Sequence, residues 1–437
     1  MGLENLLKAS MPDSMIQRGL TVFKERYKPL RILLEQRRVP RKGLPDDLIR
    51  TFILFLSSLD TDKDPKASRV GEREARVISD LLSELSGGFN HGVGRAGDLI
   101  SPQPKAPGSS LLYFIANRLA LDALRNFGLP NIENAVVLPV ATGMALALAL
   151  SVVREKTGKT EVVYPRVDHK SPLKAIKLVG LKAKILDGVI VGDAVSVPVE
   201  HVERAISGET AAILSTTTFF PPRELDNVVE IAKIADKFGV YHVINNAYGV
   251  QSREIMKSIQ KAINNGRVDI IVQSTDKNFL TPVGGSIVAS PKKDLLMEIS
   301  SMYPGRATAS PILQFVVAIL SLGLEGYERL RDKQASCKQL LEEELRALAN
   351  KHGERILDVW NPTAVAMTLK NKREPKKVGY HLYSLRVTGA RVLSPTDFGV
   401  CCKEYIAPYI TMSAAIGCDE KDVLMAVERL DRVLQSV

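Results

Sequence analysis

Aromatic side chains make up only 5% of this 437-residue chain, with a single tryptophan, so its cores must be built mainly from aliphatic residues. Cysteine is scarce too: Cys337, Cys401, Cys402 and Cys418 show no C-x-x-C spacing and no companion histidine pattern. That excludes a recognisable zinc motif, supports no disulfide framework, and points to reduced thiols. No uninterrupted apolar run approaches the ~18 residues a membrane span needs, and the N-terminus MGLENLLKASMPDSMIQRG lacks a basic start followed by an apolar core. A cytoplasmic protein with no membrane partner is the expectation. Internal repeats and low-complexity tracts are absent as well, which argues against a solenoid and against disorder.

What is present is an ordinary globular composition, 45% apolar, in a chain long enough for two or three domains. Basic residues exceed acidic ones, 59 to 49, for a net charge of +10. The excess favours a polyanionic partner without demanding one. The segment Lys28 to Lys42, with Arg37, Arg38, Arg41 and Lys42 clustered in EQRRVPRKG, reads either as a solvated loop or as a contact with an acidic partner.

In chain order, residues 1 to about 60 read as helices, and a further helix is predicted from Gly71 to about Leu85, ended by Gly87-Gly88. From Asn90 to Ser110 runs NHGVGRAGDLISPQPKAPGSS, too long and irregular for a simple connection. Arg95 among its glycines suits an anion site, because backbone N–H groups can approach phosphate oxygens while a guanidinium forks onto two of them. A plain surface loop fits as well. An apolar helix, Leu111 to Phe127, follows.

Then the pattern becomes regular. Strands are predicted at 136–140, 162–164, 183–186, 211–214, 241–244, 270–272 and 286–289, mostly separated by helical segments. Such alternation implies an α/β domain with a mainly parallel, seven-stranded sheet, whose ligands sit beyond the carboxyl ends of the strands. That rule gathers Ala141-Thr142-Gly143-Met144, Arg166 to Ser171, Ser215 to Thr218, Asn245 to Gly249, and Lys277 in one place. Ala141–Met144 is either a helix cap or a phosphate cradle. His169 is either structural or a ring that stacks on an aromatic ligand. Asn245 either caps a strand or bonds a ring nitrogen. Lys277, in QSTDKNFLTPVGGS, either caps the preceding strand in solvent or serves as a nucleophile. Convergence on successive strand ends favours a cofactor site. Beyond Ser301, Arg306 lies in MYPGRATASP, a long amphipathic helix spans about Ile312 to Lys351, and strands at 364–369 and 390–393 with a helix at 421–437 suggest a small α+β domain.

GVGRAGDLISPQPKAPGSSLL, LPVATGMALALAL, NNAYGVQS, VQSTDKNFLTPVGG and MYPGRATASP together resemble the signature stretches of the O-phosphoseryl-tRNA(Sec):selenocysteinyl-tRNA synthase family, of archaeal type. These matches span about Gly71 to Pro311, with TGAR (Thr388–Arg391) and SAAIG (Ser413–Gly417) beyond. The resemblance implies an aminotransferase-like (fold type I) pyridoxal-phosphate enzyme. It divides into a helical N-terminal extension with a substrate-phosphate loop (1–108), a catalytic domain (109–311), and a linking helix with a small C-terminal domain (312–437). It implies a transferase that uses selenophosphate to convert tRNA(Sec) charged with O-phosphoserine to selenocysteinyl-tRNA(Sec), by β-elimination of phosphate and addition of selenium.

By the same resemblance, Lys277 would hold the cofactor through its amine and act as the base. Ala141, Thr142, Gly143, Met144, His169, Asn245 and Ser274 would complete the cofactor site. Arg73, Arg95, Gln103, Lys170 and, from the neighbouring subunit, Arg306 would take the substrate's phosphate. Asn245 stands where most enzymes of this fold carry an aspartate, so the cofactor ring should be a weaker electron sink, adequate for a leaving group as good as phosphate. A homotetrameric dimer of dimers, gripping tRNA rather than DNA with its N-terminal helices, is implied as well. Two other pyridoxal-phosphate reactions, cysteinyl-tRNA synthesis from phosphoseryl-tRNA and cysteine desulfuration, compete with this one. The desulfuration needs a mobile cysteine, for which Cys401-Cys402 is the candidate. A basic RNA-binding scaffold without cofactor is the competing reading from another class.

Overall fold

The computed structural model describes residues 11–436 apart from Arg373, so the first ten residues of the predicted helical N-terminus lie outside the described part. Helices α1 (Asp13–Gln36), α2 (Asp46–Ser57) and α3 (Asp80–Leu85) come first. The helix expected from Gly71 does not form there. Ala75 adopts a left-handed φ of 55°, which interrupts any helical run, and α3 starts only after Ser79, whose hydroxyl accepts from the Leu82 amide. After the irregular stretch comes α4 (Pro107–Asn126), opened by a proline where its missing N–H costs nothing.

The central part alternates as its sequence dictates: β1 (Asn134–Leu138), α5 (Thr142–Thr157), β2 (Glu161–Pro165), α6 (Lys170–Leu178), β3 (Lys182–Leu186), a hairpin of β4 (Val189–Val191) and β5 (Ala194–Ser196), α7 (Val199–Ala205), β6 (Thr210–Thr216), α8 (Val228–Phe238), β7 (Tyr241–Asn245), α9 (Arg253–Asn265), β8 (Ile270–Ser274), α10 (Thr275–Phe279) and β9 (Ser286–Ser290). Seven strands form one sheet in the order β1-β9-β8-β7-β6-β2-β3. Neighbours from β8 through β3 are parallel, in register as Val243↔Ile270 and Ala212↔Tyr241. Strand β9 runs against both its neighbours, pairing Ile271↔Ala289 and Val136↔Val288. Its connection from β8 holds little besides the single turn of α10, too short for the crossover a parallel return requires. The predicted seven strands are all present; the hairpin β4–β5 was not foreseen.

Helix α11 (Leu295–Ser301) leads to α12 (Ser310–Lys351), which is broken at Gly323, φ 61°. The segment Pro40–Leu44 crosses at the break: Leu44 N–H donates to Leu320 O, and the amides of Leu324 and Glu325 donate to Pro40 O and Arg41 O. A Cβ on Gly323 would lie 2.6 Å from Gly43 N, so only glycine permits this crossing. The backbone of the basic segment is thus anchored in the fold, while Arg37 stacks over Phe114 at 5.1 Å. One stretch of α12 is long and apolar enough to cross a membrane, yet its first half packs Phe315, Val316 and Ile319 into the main core. Its second half packs Leu341 and Leu345 into a second core, with β10 (Ala364–Thr368), α13 (Pro375–Ser384), β11 (Arg391–Leu393), β12 (Tyr409–Ser413) and α14 (Glu420–Ser436). The order β10-β12-β11 makes β12, absent from the sequence expectation, the centre of the small sheet.

A buried histidine inside the large sheet gives a stability prediction. His242, fully buried on β7, has Nδ1 facing Arg267 O at 3.1 Å, so Nε2 accepts from Ser215 Oγ at 2.7 Å. Burial pushes its pKa down from 6.5 to about 4. The unfolded chain therefore takes up this proton before the folded one. The stability this group contributes is full above about pH 6.5 and falls by about 3 kcal/mol as pH drops toward 4. Urea titrations at several pH values should show this slope in the native protein and a shallower one in His242→Gln.

Candidate active site

The carboxyl ends of the parallel strands and the small sheet enclose a cavity of about 670 Å³. From the large sheet it is lined by Ala141, Thr142, Gly143, His169, Ser171, Asn245, Tyr248 and Lys277; from the C-terminal part come Thr363, Gly389, Ser413, Ala415 and Ile416. At its floor, Lys277 sits mid-turn in α10, held from both sides. Asn278 Nδ2 donates to Ser274 O at 2.7 Å and Ala247 O at 2.9 Å. Gln251 Nε2 donates to Lys277 O at 3.3 Å, and its Oε1 accepts from the Ile416 amide at 2.7 Å. The lysine's own Nζ is half exposed and 3.4 Å from Asp276 Oδ2. Its backbone is fixed while its amine keeps access to the cavity.

Gly285 is explained by packing. A Cβ there would lie 2.5 Å from Thr275 Oγ1, and Gly285 O accepts from the Thr275 amide. The close approach is therefore to the turn bearing Lys277, within one chain.

Also in the lining, α5 begins at Thr142, presenting the unpaired amides of a helix start. A Cβ on Gly143 would come within 2.2 Å of Ser171 Oγ, so glycine lets that hydroxyl close on the helix start. His169 precedes α6, and its ring is reachable from the cavity. Desolvation by the surrounding protein, then the charges of Lys277 and Arg391, hold its pKa below the ordinary value, which keeps it neutral and suited to stacking.

Four lining residues, Thr216, Thr218, Asn245 and Tyr248, carry buried side-chain oxygens with no hydrogen-bond partner. Burial without a partner costs ~1–3 kcal/mol per group, a cost a ligand can relieve. Pyridoxal phosphate fits this set: an amine for its aldehyde, a helix start for its phosphate, an imidazole for its ring face and the Asn245 amide for its ring nitrogen.

Two expected cofactor residues are placed differently. Met144 lies past the cavity, exposed, with its amide already donating to Ala141 O. Ser274 is buried beneath, its hydroxyl committed to Asp276. The residues expected to take a substrate phosphate stand apart from this chain's own cavity. Arg306 Nη2 donates to His91 O, while its Nε is buried without a partner. Burial, then the nearby charge of Arg73, holds its pKa below the ordinary arginine value. Arg306 thus lies on the same side as Arg73, and Gln103 accepts weakly from the amide of Lys105, whose ammonium pairs with Glu74. Arg95 is exposed on a tight turn closed by Arg95–Asp98 backbone bonds, and Asp98 is tied to Ser300. Lys170 is exposed at the first position of α6, between the lining residues His169 and Ser171 but not itself lining the cavity.

Thr216, Thr218, Tyr248 and Arg391 carry no role in the sequence expectation, although they lie in the stretches Ser215–Thr218, Asn245–Gly249 and Thr388–Arg391. The guanidinium of Arg391 lies 4.7 Å over the Phe220 ring with no carboxylate partner among the described residues. The cysteine pair that desulfuration would need is not available as a mobile nucleophile. Cys401 and Cys402 are buried, and burial pushes the Cys401 thiol up to about 12. That removes the feature a desulfurase requires.

Comparison with known proteins identifies the family and the fold. A family model described as O-phosphoseryl-tRNA(Sec) selenium transferase matches residues 59–435. The protein of that name from Methanopyrus kandleri is 48% identical over 98% of this chain and 100% of its own length. A crystal structure of an archaeal O-phosphoseryl-tRNA(Sec) selenium transferase superposes with a TM-score of 0.93 at 42% identity, covering 97% of this chain and 98% of that one. A sphingosine-1-phosphate lyase from Burkholderia pseudomallei shares the fold alone, with a TM-score of 0.60 at 15% identity over 98% and 90% of the two chains.

Proposed function

This chain belongs to the O-phosphoseryl-tRNA(Sec) selenium transferase family, and we propose how its residues divide the work of converting O-phosphoseryl-tRNA(Sec) to selenocysteinyl-tRNA(Sec). The fold is aminotransferase-like, fold type I. The observation that carries the assignment is the cavity itself, where Lys277 faces a helix start, a neutral imidazole and four buried oxygens without partners. Lys277, Thr142, Gly143, His169 and Asn245 would hold pyridoxal phosphate, which when bound would supply an electron sink that acidifies the substrate's Cα–H.

Lys277 takes the Cα proton with its ε-amine as general base. The Cβ–O bond then breaks, and phosphate leaves with the bonding pair. Arg73, Arg95, Gln103 and Arg306 form the second anion site that receives it, with Lys170 assisting; guanidinium forks suit a phosphate geometrically and electrostatically. Selenium from selenophosphate forms the new Cβ–Se bond, its phosphoryl group passes to water, and the proton returns to Cα. Asn245, an amide in place of a carboxylate, leaves the sink modest, which suffices for so good a leaving group.

Because the arginines stand outside this chain's own cavity, we place them in the site of a neighbouring subunit. Exposed apolar residues in the N-terminal part, among them Phe23, Leu54, Phe55, Ile78 and Leu85, support assembly, and we adopt a dimer of dimers. The division 1–108, 109–311 and 312–437 then separates gripping, chemistry and the small lobe. The basic segment Arg37–Lys42 faces tRNA, and the work is cytoplasmic.

The test is incubation with O-phosphoseryl-tRNA(Sec) and selenophosphate, followed by identification of the aminoacyl product. Selenocysteine is expected. Purified protein should carry a visible absorption band that borohydride bleaches, and a colourless protein that cannot be reconstituted would sink the reading.

A further inference from the structure

The residue just before His169 is a buried aspartate that touches no part of the cavity. Asp168 accepts from Arg166 through both oxygens, Nε to Oδ1 at 2.7 Å and Nη2 to Oδ2 at 3.2 Å. Its Oδ2 also accepts from the backbone amides of Gly399 and Cys401, each at 2.9 Å. In the other direction, the Asp168 amide donates to Cys401 Sγ at 3.2 Å. Cys401 adopts a left-handed φ of 63°, a conformation unfavourable for a side chain and held here by bonds in both directions. Arg166 is fixed in turn: Nη1 pairs with Asp187 at 2.7 Å, and its carbonyl accepts from buried Arg223 at 2.9 Å. A segment more than 200 residues away in sequence is thereby clasped to the connection that delivers His169.

His169 needs such help. Its ring makes no side-chain hydrogen bond among the described residues, while its amide donates to Val167 O at 2.7 Å. The place of the ring therefore follows from the backbone at 167–170, and the clasp through Asp168 is what fixes that backbone against the C-terminal part. The same segment borders Arg391, whose Nη2 would lie 3.3 Å from a Cβ on Gly399.

We infer that Asp168 is a positioning residue, which sets His169 over the cofactor site by clasping Gly399 and Cys401. This rests on the cavity being a pyridoxal-phosphate site. A free carboxylate is required because its Oδ2 serves two amides and Arg166 at once, and an asparagine could not present two negative oxygens to these donors. Stability alone would be served by the same bonds, so the discriminating quantity is coupling between Asp168 and His169.

The experiment is a double-mutant cycle on full-length protein, with Asp168→Asn, His169→Ala and the double variant. Pyridoxal-phosphate affinity is read from the visible band on titration, and melting temperature is read in parallel. His169→Ala should weaken the cofactor about tenfold, and Asp168→Asn by a similar factor, the order lost when an outer partner of a bound group is removed. The double variant should bind no more weakly than His169→Ala. Multiplying losses would overturn the inference. So would an Asp168→Asn protein with a lowered melting temperature but native affinity, and so would a His169→Ala protein of native affinity. Should Asp168→Asn not fold, Arg166→Gln, which loosens the same carboxylate from its other side, takes its place in the cycle. Failure of native protein to bind pyridoxal phosphate would instead sink the cofactor reading, a separate outcome.

Discussion

The Lys277→Ala protein is expected to fold normally and to lose turnover of O-phosphoseryl-tRNA(Sec) by at least about four orders of magnitude. Two proposed roles would end together, the amine that holds the cofactor and the base that takes the Cα proton, the latter alone worth ~10²–10⁴-fold. Folding should be little affected. The ammonium is half exposed and its ionic contact is a 3.4 Å pair with Asp276, worth no more than ~1 kcal/mol. The turn itself is held by Asn278 and Gln251 through backbone atoms that alanine keeps. Melting temperature and circular dichroism should match the native protein, while the borohydride-sensitive band disappears. A small primary amine added to the assay should restore a fraction of the turnover by replacing the missing base. Turnover within tenfold of native without added amine would remove Lys277 from both roles.

This lysine was legible in the sequence because its setting is local. An apolar strand, β8, is followed at once by polar and turn-forming residues, and each neighbouring strand ends the same way. The seven-stranded sheet was legible for the same reason, since strands buried on both faces read as unbroken aliphatic runs. What failed to show was set by distant partners. Nothing near Gly323 announces that Pro40–Leu44 will cross there and break a 42-residue helix. The left-handed Ala75 has no glycine to mark it, so the expected helix from Gly71 ran straight through. Strand β12, YITMS, is short and mixes apolar with hydroxyl residues, so it gives no clear strand signal, yet it is the central strand of the small sheet and largely buried. In the cavity, Thr216, Thr218 and Tyr248 matter because their oxygens lack partners, and an unmet hydrogen bond leaves no trace in sequence. Met144 and Ser274 illustrate the reverse. Each belongs to a cavity-forming stretch, but one residue's displacement along α5 or β8 turns the side chain elsewhere.

Arg306→Ala should keep the visible band and the cofactor affinity of native protein while turnover falls ~10²–10³-fold, the usual loss when a charged stabiliser of a leaving anion is removed. In this chain Arg306 is an unusual arginine. Its Nε is buried with no partner, and desolvation with the neighbouring charge of Arg73 disfavours its cation, so the site is poised for an anion. Yet it does not line the cavity that holds Lys277. If the two meet across a subunit boundary, lesions in Lys277 and Arg306 must complement. Co-refolding Lys277→Ala with Arg306→Ala in equal amounts should give half of the paired subunits as hybrids, each with one intact site and one doubly damaged site. About a quarter of native turnover should return from two nearly inactive parents. Arg73, which shares the neighbourhood of Arg306, should complement Lys277→Ala in the same way. Tagged subunits would establish that hybrids form; hybrids with no gain over the parents would return Arg306 to its own chain's cavity and require a rearrangement of the 90–108 stretch to bring it there.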